Sequence, residues 1–297
     1  MCNKSIYIIL VNYNGLRDTK DCIESIKHST YENYKIVVVD NCSPNDDAQK
    51  LKGDYDDIIL INNKENEGFA KANNRGIDIA IQNGADYVML LNNDTIVEAD
   101  FLEKMIDTAQ KLAADLLTCK IMYNYDRSKI WYGGGKIDWN KGYGVHYISD
   151  ELKKNSEIEF ASGCCMLLAR RIIEKLKLPE DYFMYFEDVD YCVKLRENGF
   201  HIYYTPFIKL YHKVSASAGV ESPFFVYYWN RNRLIFMKKY KLKIGRVQYG
   251  ESLFAFFLTR IMKSVGYIIN HENEKNKKMI EGIKDGWNYD VQKGISK

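Results

Sequence analysis

Tyr87-Val88-Met89-Leu90-Leu91 is an apolar run that is too short for a typical helix and is typical of a strand buried on both faces. It stops at Asn92-Asn93-Asp94, and a helical pattern resumes at Glu98. Because ligands of open α/β sheets bind at the carboxyl ends of strands, we expect Asp94 to face a binding crevice. A carboxylate there could hold a hard divalent cation that also takes phosphate oxygens. The alternative is a strand-to-helix turn in which Asp94 or Thr95 caps the next helix.

Strand-like and helix-like segments alternate along the first part of the chain. Short apolar runs rich in branched residues are separated by stretches with helical spacing. The predicted strands are 5–11, 35–39, 58–61 and 87–91, and the predicted helices are 18–27, 68–81 and 98–113. This order predicts an α/β fold with a doubly wound, mostly parallel sheet and right-handed crossovers.

The following region has a different character. Gly133-Gly134-Gly135 lies where helical spacing is absent and predicts a bend in β structure. A predicted strand over 160–168 contains Gly163, where something must approach the backbone closely. A further short strand is expected at 201–204, and Lys209-Leu210-Tyr211-His212-Lys213 places a histidine after another short apolar stretch.

Other acidic positions besides Asp94 are candidates for function. Asp40 ends the second strand, where its carboxylate could accept hydrogen bonds from a ribose or a nucleobase, although a turn-forming Asp-Asn pair explains it equally well. Glu187, Asp188 and Asp190 begin a predicted helix, where the helix dipole favours acids. Capping needs only one carboxylate. Three acids after an aromatic stretch therefore predict a raised pKa and a function for Glu187 or Asp188.

Several kinds of site are disfavoured. The chain has no G-x-G-x-x-G after its first strand and no P-loop motif, which argues against a dinucleotide oxidoreductase and a P-loop enzyme. Its 7 cysteines are scattered without C-x-x-C spacing, so neither a zinc ribbon nor a disulfide framework is indicated. With no N-terminal signal peptide, a reducing cytoplasm is expected. The basic residues form no stripe beside a recognised reading motif, so nucleic-acid binding is not expected.

The C-terminal part is basic and aromatic, with 15 Lys and Arg against 6 Asp and Glu from Phe224 onward. Helices are expected from 224 towards 240, over 242–270 and over 274–287. Arg231 or Arg233 could reach a diphosphate or an anionic acceptor, or the arginines could be solvated beside core aromatics. Because Arg260 and Lys263 interrupt the longest apolar stretch, a core or interfacial helix is favoured over a membrane span. Contact with an anionic membrane surface and a packing or dimerising helical tail are equally plausible, so a homodimer is an open alternative.

Six sequence segments, in order and at suitable separations, cover residues from about 5 to 215. They are V-N-Y-N-G at 11–15, V-V-V-D-N at 37–41, N-E-G-F-A-K-A-N-N-R-G at 66–76, L-N-N-D at 91–94, F-E-D-V-D-Y at 186–191 and Y-H-K at 211–213. Together they resemble the inverting family 2 glycosyltransferases with the GT-A fold, and most closely the branch that includes rhamnosyltransferases. The Y-Y-x-x-R-N-R-L pattern at 227–234 resembles the same branch. The third and fifth segments are specific as a pair, and each would be weak alone.

The resemblance implies roles for most of the candidate residues. The predicted nucleotide- and donor-binding residues are Asn12, Tyr13, Asn14, Asp40, Asn66, Gly68, Asn73, Asn74, Asn92, Asn93 and Arg231. Asp94 and His212 would hold Mg²⁺ or Mn²⁺ across the diphosphate, although a lone histidine is more often structural. Asp188 would be the general base, with Glu187 beside it, and Ser162, Gly163 and Trp131 are placed on the acceptor side. The family usually has an acid at the position of Asn92, so metal dependence is weakened here, although amide and phosphate oxygens can complete a Mg²⁺ shell.

This inventory suits a single displacement with inversion. The leaving diphosphate needs a cation or basic side chains, and the acceptor hydroxyl needs a base. A double displacement would need a further carboxylate as nucleophile, and none is indicated. The sequence therefore predicts transfer of a sugar from a nucleotide-diphosphate donor, with dTDP- or UDP-sugars favoured, to a polysaccharide or lipid-linked glycan. The alternatives are a nucleotidyltransferase that makes sugar nucleotides and an inactive nucleotide- or glycan-binding module.

The expected domain division follows from the same resemblance. Residues 1–222 would form the catalytic domain, with a nucleotide-binding half at about 1–122 and an acceptor half at about 123–222. Residues 223–297 would form a helical appendage. The expected location is cytoplasmic, and a peripheral position at the inner face of the membrane is an open alternative.

Overall fold

A computed structural model of the chain describes residues 4–214, 221–293 and 295–296. The chain forms two compact units. The first comprises 1–136, 146–180 and 187–214, and the second comprises 137–145, 181–186 and 215–297. Two short segments from the middle of the chain thus group with the C-terminal helices. The division at residue 222 stays a prediction about domain function.

The following bounds define the elements up to residue 214. The strands are β1 Ile6–Asn12, β2 Tyr34–Asp40, β3 Ile59–Asn62, β4 Tyr87–Leu91, β5 Thr95–Val97, β6 Leu116–Tyr123, β7 Ile130–Tyr132, β8 Gly135–Asp138, β9 Tyr143–His146, β10 Ser156–Glu157, β11 Cys165–Ala169 and β12 Ile202–His212. The helices are α1 Leu16–Lys27, α2 Asp47–Asp54, α3 Gly68–Gln82, α4 Phe101–Leu112, α5 Arg170–Ile173 and α6 Glu187–Glu197.

The first unit is built on a mixed sheet in the order β10-β12-β6-β11-β4-β1-β2-β3, with β5 paired to β12 and β7 to β6. β1 runs parallel to β2 and β4, β2 to β3, and β6 to β12, whereas β11 runs antiparallel between β4 and β6. Ile6, Ile8, Ile9 and Leu10 of β1 are fully buried, as expected for a strand covered on both faces. The predicted doubly wound, mostly parallel sheet is confirmed.

Close packing of α3 on β1 depends on Gly76. A β-carbon at this position would lie 2.7 Å from Cγ2 of Ile9, which is fully buried. Gly76, which belongs to the third sequence segment, thus allows α3 to lie close against the central strand β1.

Two predicted strands differ from the structure. β12 is one strand of 11 residues rather than a short strand over 201–204, with a register shift between Thr205 and Lys209. Pro206 lies in that gap, and because it has no N–H it cannot donate to the ladder. β11 begins only at Cys165, so residues 160–164 form a loop rather than the first half of a strand. The bend predicted at the three glycines is present between β7 and β8, where Gly134 has φ of +101°.

The second unit contains α7 Pro223–Lys239, α8 Lys241–Ile244, α9 Arg246–Ile269, α10 Asn273–Asn288, β13 Tyr289–Asp290 and β14 Ile295–Ser296. A small core of Val226, Tyr267 and Met279 joins α7, α9 and α10. The fully buried Asn232 donates to the backbone oxygens of Met184 and Tyr185, which belong to the same unit. Within the described residues, α9 is the one helix whose length and mean hydropathy of 1.4 would suffice to cross a membrane, and little of it is buried.

Candidate functional site

The carboxyl ends of β1 and β2 carry a buried polar cluster. Asn12 pairs with Asp40 in the sheet register, and its Nδ2 donates to Asp40 Oδ1 at 2.6 Å. The same Asp40 oxygen accepts from Ser43 Oγ at 2.6 Å, and the other accepts from Ser43 N–H at 2.9 Å. The Asn12 side chain thus orients the Asp40 carboxylate. Ser43, which the sequence analysis did not single out, holds the same carboxylate.

Asp40 lines a cavity of about 310 Å³. Its other lining residues are Cys42, Ser43, Asp46, Ala48, Gln49, Asn62, Asn63 and Lys64. Tyr13 is 53% exposed, and Asn14 has φ of +52° with its N–H donated to Ser43 Oγ. Asp40 ends β2 as the sequence predicted, and a flat polar ligand at this cavity would meet its oriented carboxylate, but its nucleotide-binding role stays a prediction.

Asn41 connects this edge to the loop before α3. Its Nδ2 donates to Asn66 Oδ1 at 2.7 Å and to the Gly68 backbone oxygen at 3.2 Å. Asn73 and Asn74 are buried. The Asn74 side chain donates to the backbone oxygen of Leu178 and accepts from the N–H of the same residue. These amides fix the backbone around α3. Asn41 was also missed, although it follows Asp40 in the second sequence segment.

Asp94 and His212 are brought together by the antiparallel pairing of β5 with β12, in which Thr95 is the partner of His212. His212 Nε2 lies 3.0 Å from Asp94 Oδ1, and both side chains are largely buried. α4 begins only at Phe101, so neither Asp94 nor Thr95 caps it and the capping alternative is wrong. Asn93 points elsewhere, because its Nδ2 donates to Thr19 Oγ1 at 2.8 Å.

Trp131 packs edge-on against His212, with 4.6 Å between ring centroids, and against His146, with 4.8 Å. Burial lowers the pKa of His146 to about 4, so this imidazole is neutral at ordinary pH. The Trp131 ring therefore contacts His212 of the Asp94–His212 pair and also contacts the uncharged imidazole of His146.

The donor set suits a cation that borrows ligands from its substrate. Within the described residues there is no group of three or more His, Cys, Asp or Glu that could hold a metal ion alone. Mg²⁺ and similar ions are commonly held by one or two protein oxygens with substrate phosphates and water. His212 Nε2 faces Asp94 Oδ1 at 3.0 Å, so these two atoms are the ones that would share a cation, while His212 Nδ1 is buried and has no hydrogen-bond partner. Asp94 and His212 would hold such an ion.

Asp188 docks on the loop before β11. Its Oδ2 accepts from Gly163 N–H at 3.0 Å, and its Oδ1 accepts from Val189 N–H at 2.8 Å. A β-carbon on Gly163 would lie 3.4 Å from Asp188 Cβ and from Phe69 Cε1, so Asp188 and Phe69 both pack close to this backbone. Burial raises the pKa of Asp188, while the two N–H bonds oppose the rise. Ser162 is buried beside it, and its Oγ accepts from Cys164 N–H.

Glu187 behaves differently from its neighbour. It is buried, and its Oε2 has no hydrogen-bond partner. Burial, with the Asp188 charge adding to it, raises the pKa of Glu187 well above its ordinary value. Since Asp188 accepts two backbone N–H bonds and Glu187 Oε2 accepts none, the charged form is better stabilised on Asp188 than on Glu187.

One stretch of backbone connects Asp94 to Asp188. Asn92 N–H donates to the Cys164 oxygen at 2.9 Å, and Cys164 directly follows the Gly163 that binds Asp188. Asp188 and Asn92, which precedes Asp94 by two residues, are therefore hydrogen-bonded to adjacent residues of this stretch.

Two cationic side chains, Lys213 and Arg231, are held by hydrogen bonds to neighbouring residues. Lys213 Nζ donates to Asp18 and Asp21 of α1 at 2.8 and 2.6 Å, and the sequence analysis gave it no role. Arg231 belongs to the second unit, where its guanidinium donates to the Asp181 oxygen and to Asn232 Oδ1. Its donor-binding role stays a prediction.

Comparison with known proteins identifies the family. The model of "Glycosyl transferase family 2" matches residues 7–177. The dTDP-rhamnosyl transferase RfbF of Shigella flexneri is 24% identical over 261 residues, which are 80% of this chain and 81% of that protein. The low-salt glycan biosynthesis hexosyltransferase Agl10 of Haloferax volcanii is 24% identical over 250 residues, 82% of this chain and 78% of that protein.

Solved structures give the fold. GalNAc-T7, crystallised with UDP, GalNAc and Mn²⁺, superposes on 81% of this chain with a TM-score of 0.65 and 14% identity. S. aureus TarS in complex with UDP superposes on 78% with a TM-score of 0.56 and 16% identity. The chain spans 50% of the first and 65% of the second. The fold is thus the GT-A fold expected from the sequence. Because the family model matches more than half of its residues, the protein belongs to glycosyl transferase family 2.

Proposed function

We propose that the protein transfers a hexose, with inversion, from a nucleotide-diphosphate donor to a hydroxyl of a cell-surface polysaccharide or lipid-linked glycan. The observation that carries the proposal is that Asp188 and Asn92, two residues before Asp94, are hydrogen-bonded to the adjacent residues Gly163 and Cys164. A dTDP- or UDP-sugar is the favoured donor, in keeping with RfbF, whose name describes a dTDP-rhamnosyl transferase. The family match removes the support for a nucleotidyltransferase.

The proposed reaction assigns one task to each end of the donor. Asp40, fixed by Asn12 and Ser43, accepts hydrogen bonds from the nucleoside. In this proposal Asp94 and His212 bind the diphosphate through a divalent cation, which is supported by their 3.0 Å pairing and by the Mn²⁺ in the GalNAc-T7 structure. A divalent cation bound there would neutralise the charge that develops on the leaving diphosphate.

Asp188 serves as the base in this proposal. The acceptor oxygen bonds to the anomeric carbon as the bond from that carbon to the diphosphate oxygen breaks, and the hydroxyl proton passes to Asp188. Burial favours this role, because it raises the pKa of the carboxyl and makes the carboxylate a better proton acceptor. Trp131, beside His212, offers a flat apolar surface for a sugar ring on the acceptor side.

A donor panel tests the proposal. UDP-, dTDP- and GDP-sugars would be incubated with the protein and Mn²⁺, with and without glycan acceptors, and nucleotide release would be measured. We expect release that depends on the acceptor for one class of donor. Nucleotide binding without release from any donor would instead favour a catalytically inactive binding module. A cytoplasmic site of action is part of the proposal, and the six free cysteines of the described residues are compatible with a reducing compartment.

A further inference from the structure

The outward face of α9 is apolar where a helix on a water-exposed surface should be polar. Its exposed side chains include Phe254, Leu258, Ile261, Met262, Val265, Ile268 and Ile269, each between 47% and 71% exposed. At about 100° per residue these seven positions occupy an arc of roughly 120°. The arc carries no charged residue from Phe254 to the end of the helix. We call these seven residues the apolar arc.

The charged residues of this helix segment point the other way, into the second unit. Arg260 Nε donates to Asn230 Oδ1 at 2.5 Å, and Lys263 forms an ion pair with Glu221. Burial lowers the pKa of Arg260, in agreement with its inward position. A helix whose outer side faces water should carry its charged residues outside and its apolar residues inside, and this helix has the reverse arrangement. The apolar arc therefore needs an apolar partner that covers it.

A basic stripe on α10 lies beside the arc. Lys277, Ile280, Lys284 and Trp287 follow helical spacing and are all exposed. The Trp287 ring contacts the Phe257 ring of α9, with 5.8 Å between centroids, so the two exposed faces adjoin. An apolar arc bordered by lysines and an amphipathic tryptophan matches the depth profile of a lipid interface with anionic headgroups.

We infer that α9 and α10 dock the protein on an anionic lipid bilayer, with α9 lying in the interface rather than spanning it. A spanning α9 would expose Arg260 and Lys263 to hydrocarbon and would break their bonds to Asn230 and Glu221. Lying flat, it buries the arc in the acyl boundary and keeps those bonds, while Lys277 and Lys284 meet the headgroups. This inference goes beyond the proposed transfer reaction and does not depend on it.

Co-sedimentation with vesicles tests the inference without donor or acceptor. The full chain should sediment with phosphatidylcholine vesicles that contain phosphatidylglycerol, and less with phosphatidylcholine alone or at raised salt. Leu258→Asp with Ile261→Asp should weaken binding at least about tenfold, and Lys277→Glu with Lys284→Glu should do the same, given about fivefold for each basic residue near such a surface. Phe207→Asp is the matched control, since it changes an exposed aromatic of β12 in the first unit and should bind as the wild type does. All five substituted side chains are exposed, so folding should persist, which circular dichroism would check.

Lipid depth gives a second readout. Brominated lipids should quench part of the tryptophan fluorescence of the wild type, and Trp287→Phe should lose that part. Failure of the wild type to bind either vesicle type, or equal binding by the arc variant, would overturn the inference. Sedimentation of a dimer in solution, converted to a monomer by the arc substitutions and without vesicle binding, would show that a second copy covers the arc, and would overturn it too.

Discussion

The Asp188 carboxylate accepts the backbone N–H of Gly163 at 3.0 Å, and the next residue, Cys164, accepts the N–H of Asn92. This relationship links the proposed base to Asn92, two residues before Asp94, which is the proposed metal ligand. The division of labour between them can be separated by measurement, because each acid should affect a different property of the enzyme.

Replacing Asp188 with Asn should abolish transfer and spare donor binding. The amide keeps the shape but cannot accept the proton, so we expect the rate to fall by a factor of about 10² to 10⁴. Donor turnover gives the rate, and isothermal titration with the nucleoside diphosphate gives binding. Glu197→Gln, an exposed acid-to-amide change at the end of α6, serves as the control. Transfer by Asp188→Asn at the wild-type rate would eliminate this residue as the base.

Replacing Asp94 with Asn should remove the effect of Mn²⁺ on nucleotide-diphosphate affinity. The Asp94–His212 pair would lose its anionic oxygen, so we expect binding in Mn²⁺ to weaken at least about tenfold and binding in chelator to stay the same. Titration of wild type and variant in both conditions would measure this. Glu98→Gln, an exposed change just after β5, is the control. A variant that still gains affinity from Mn²⁺ would contradict the assignment.

The pH profile of kcat/KM should have an acidic limb above the ordinary Asp range. Burial raises the Asp188 pKa above 3.8, and only the carboxylate can act as base, so activity should rise with pH through the raised value and then level off. Initial rates across a buffer series would locate the limb, with nucleotide affinity measured alongside to separate binding from catalysis. A limb at 3.8 or below would show that burial does not act as argued.

The buried Glu187 should make the wild type less stable as pH rises. Its folded pKa is raised well above 4.5, so its contribution is fully present below 4.5 and is lost as pH rises towards the folded value. Glu187→Gln has no proton to lose. As pH rises, the free energy of unfolding of the variant should therefore increase relative to that of the wild type, by at most about 1.4 kcal/mol per pH unit. Urea unfolding at several pH values measures the difference, and a constant difference would mean that Glu187 is ionised in the fold.

Gly76→Ala should destabilise the first unit. The added β-carbon would lie 2.7 Å from the fully buried Ile9, so we expect a loss of about 1–3 kcal/mol in free energy of unfolding. Gly53→Ala in α2 is the matched control, because nothing lies within 4 Å of its β-carbon, and it should be neutral or stabilising. Urea unfolding compares the two variants, and equal effects would rule out the contact with Ile9 as the cause.

Prediction from the sequence succeeded where the signal was local. β1, β2 and β4 are short branched runs ended by polar residues, and parallel neighbours must present those ends at one edge, which is how Asp40 and Asp94 could be placed. It failed where backbone hydrogen bonding overrode composition. Pro206 interrupts the ladder of β12 without ending the strand, and residues 160–164 form a loop in which the Gly163 N–H donates to Asp188 instead of to a strand.

The sequence by itself determined the family and the residues that carry charge at the sheet edge, because short polar motifs follow buried strands in a fixed order. Only the tertiary structure decided how they act together. His212 reaches Asp94 through the pairing of β12 with β5, across more than a hundred residues, and no local pattern encodes that pairing. The same holds for Asp188 and Glu187: adjacent in the chain and alike in chemistry, they differ because one meets two backbone N–H groups and the other has a carboxyl oxygen with no partner.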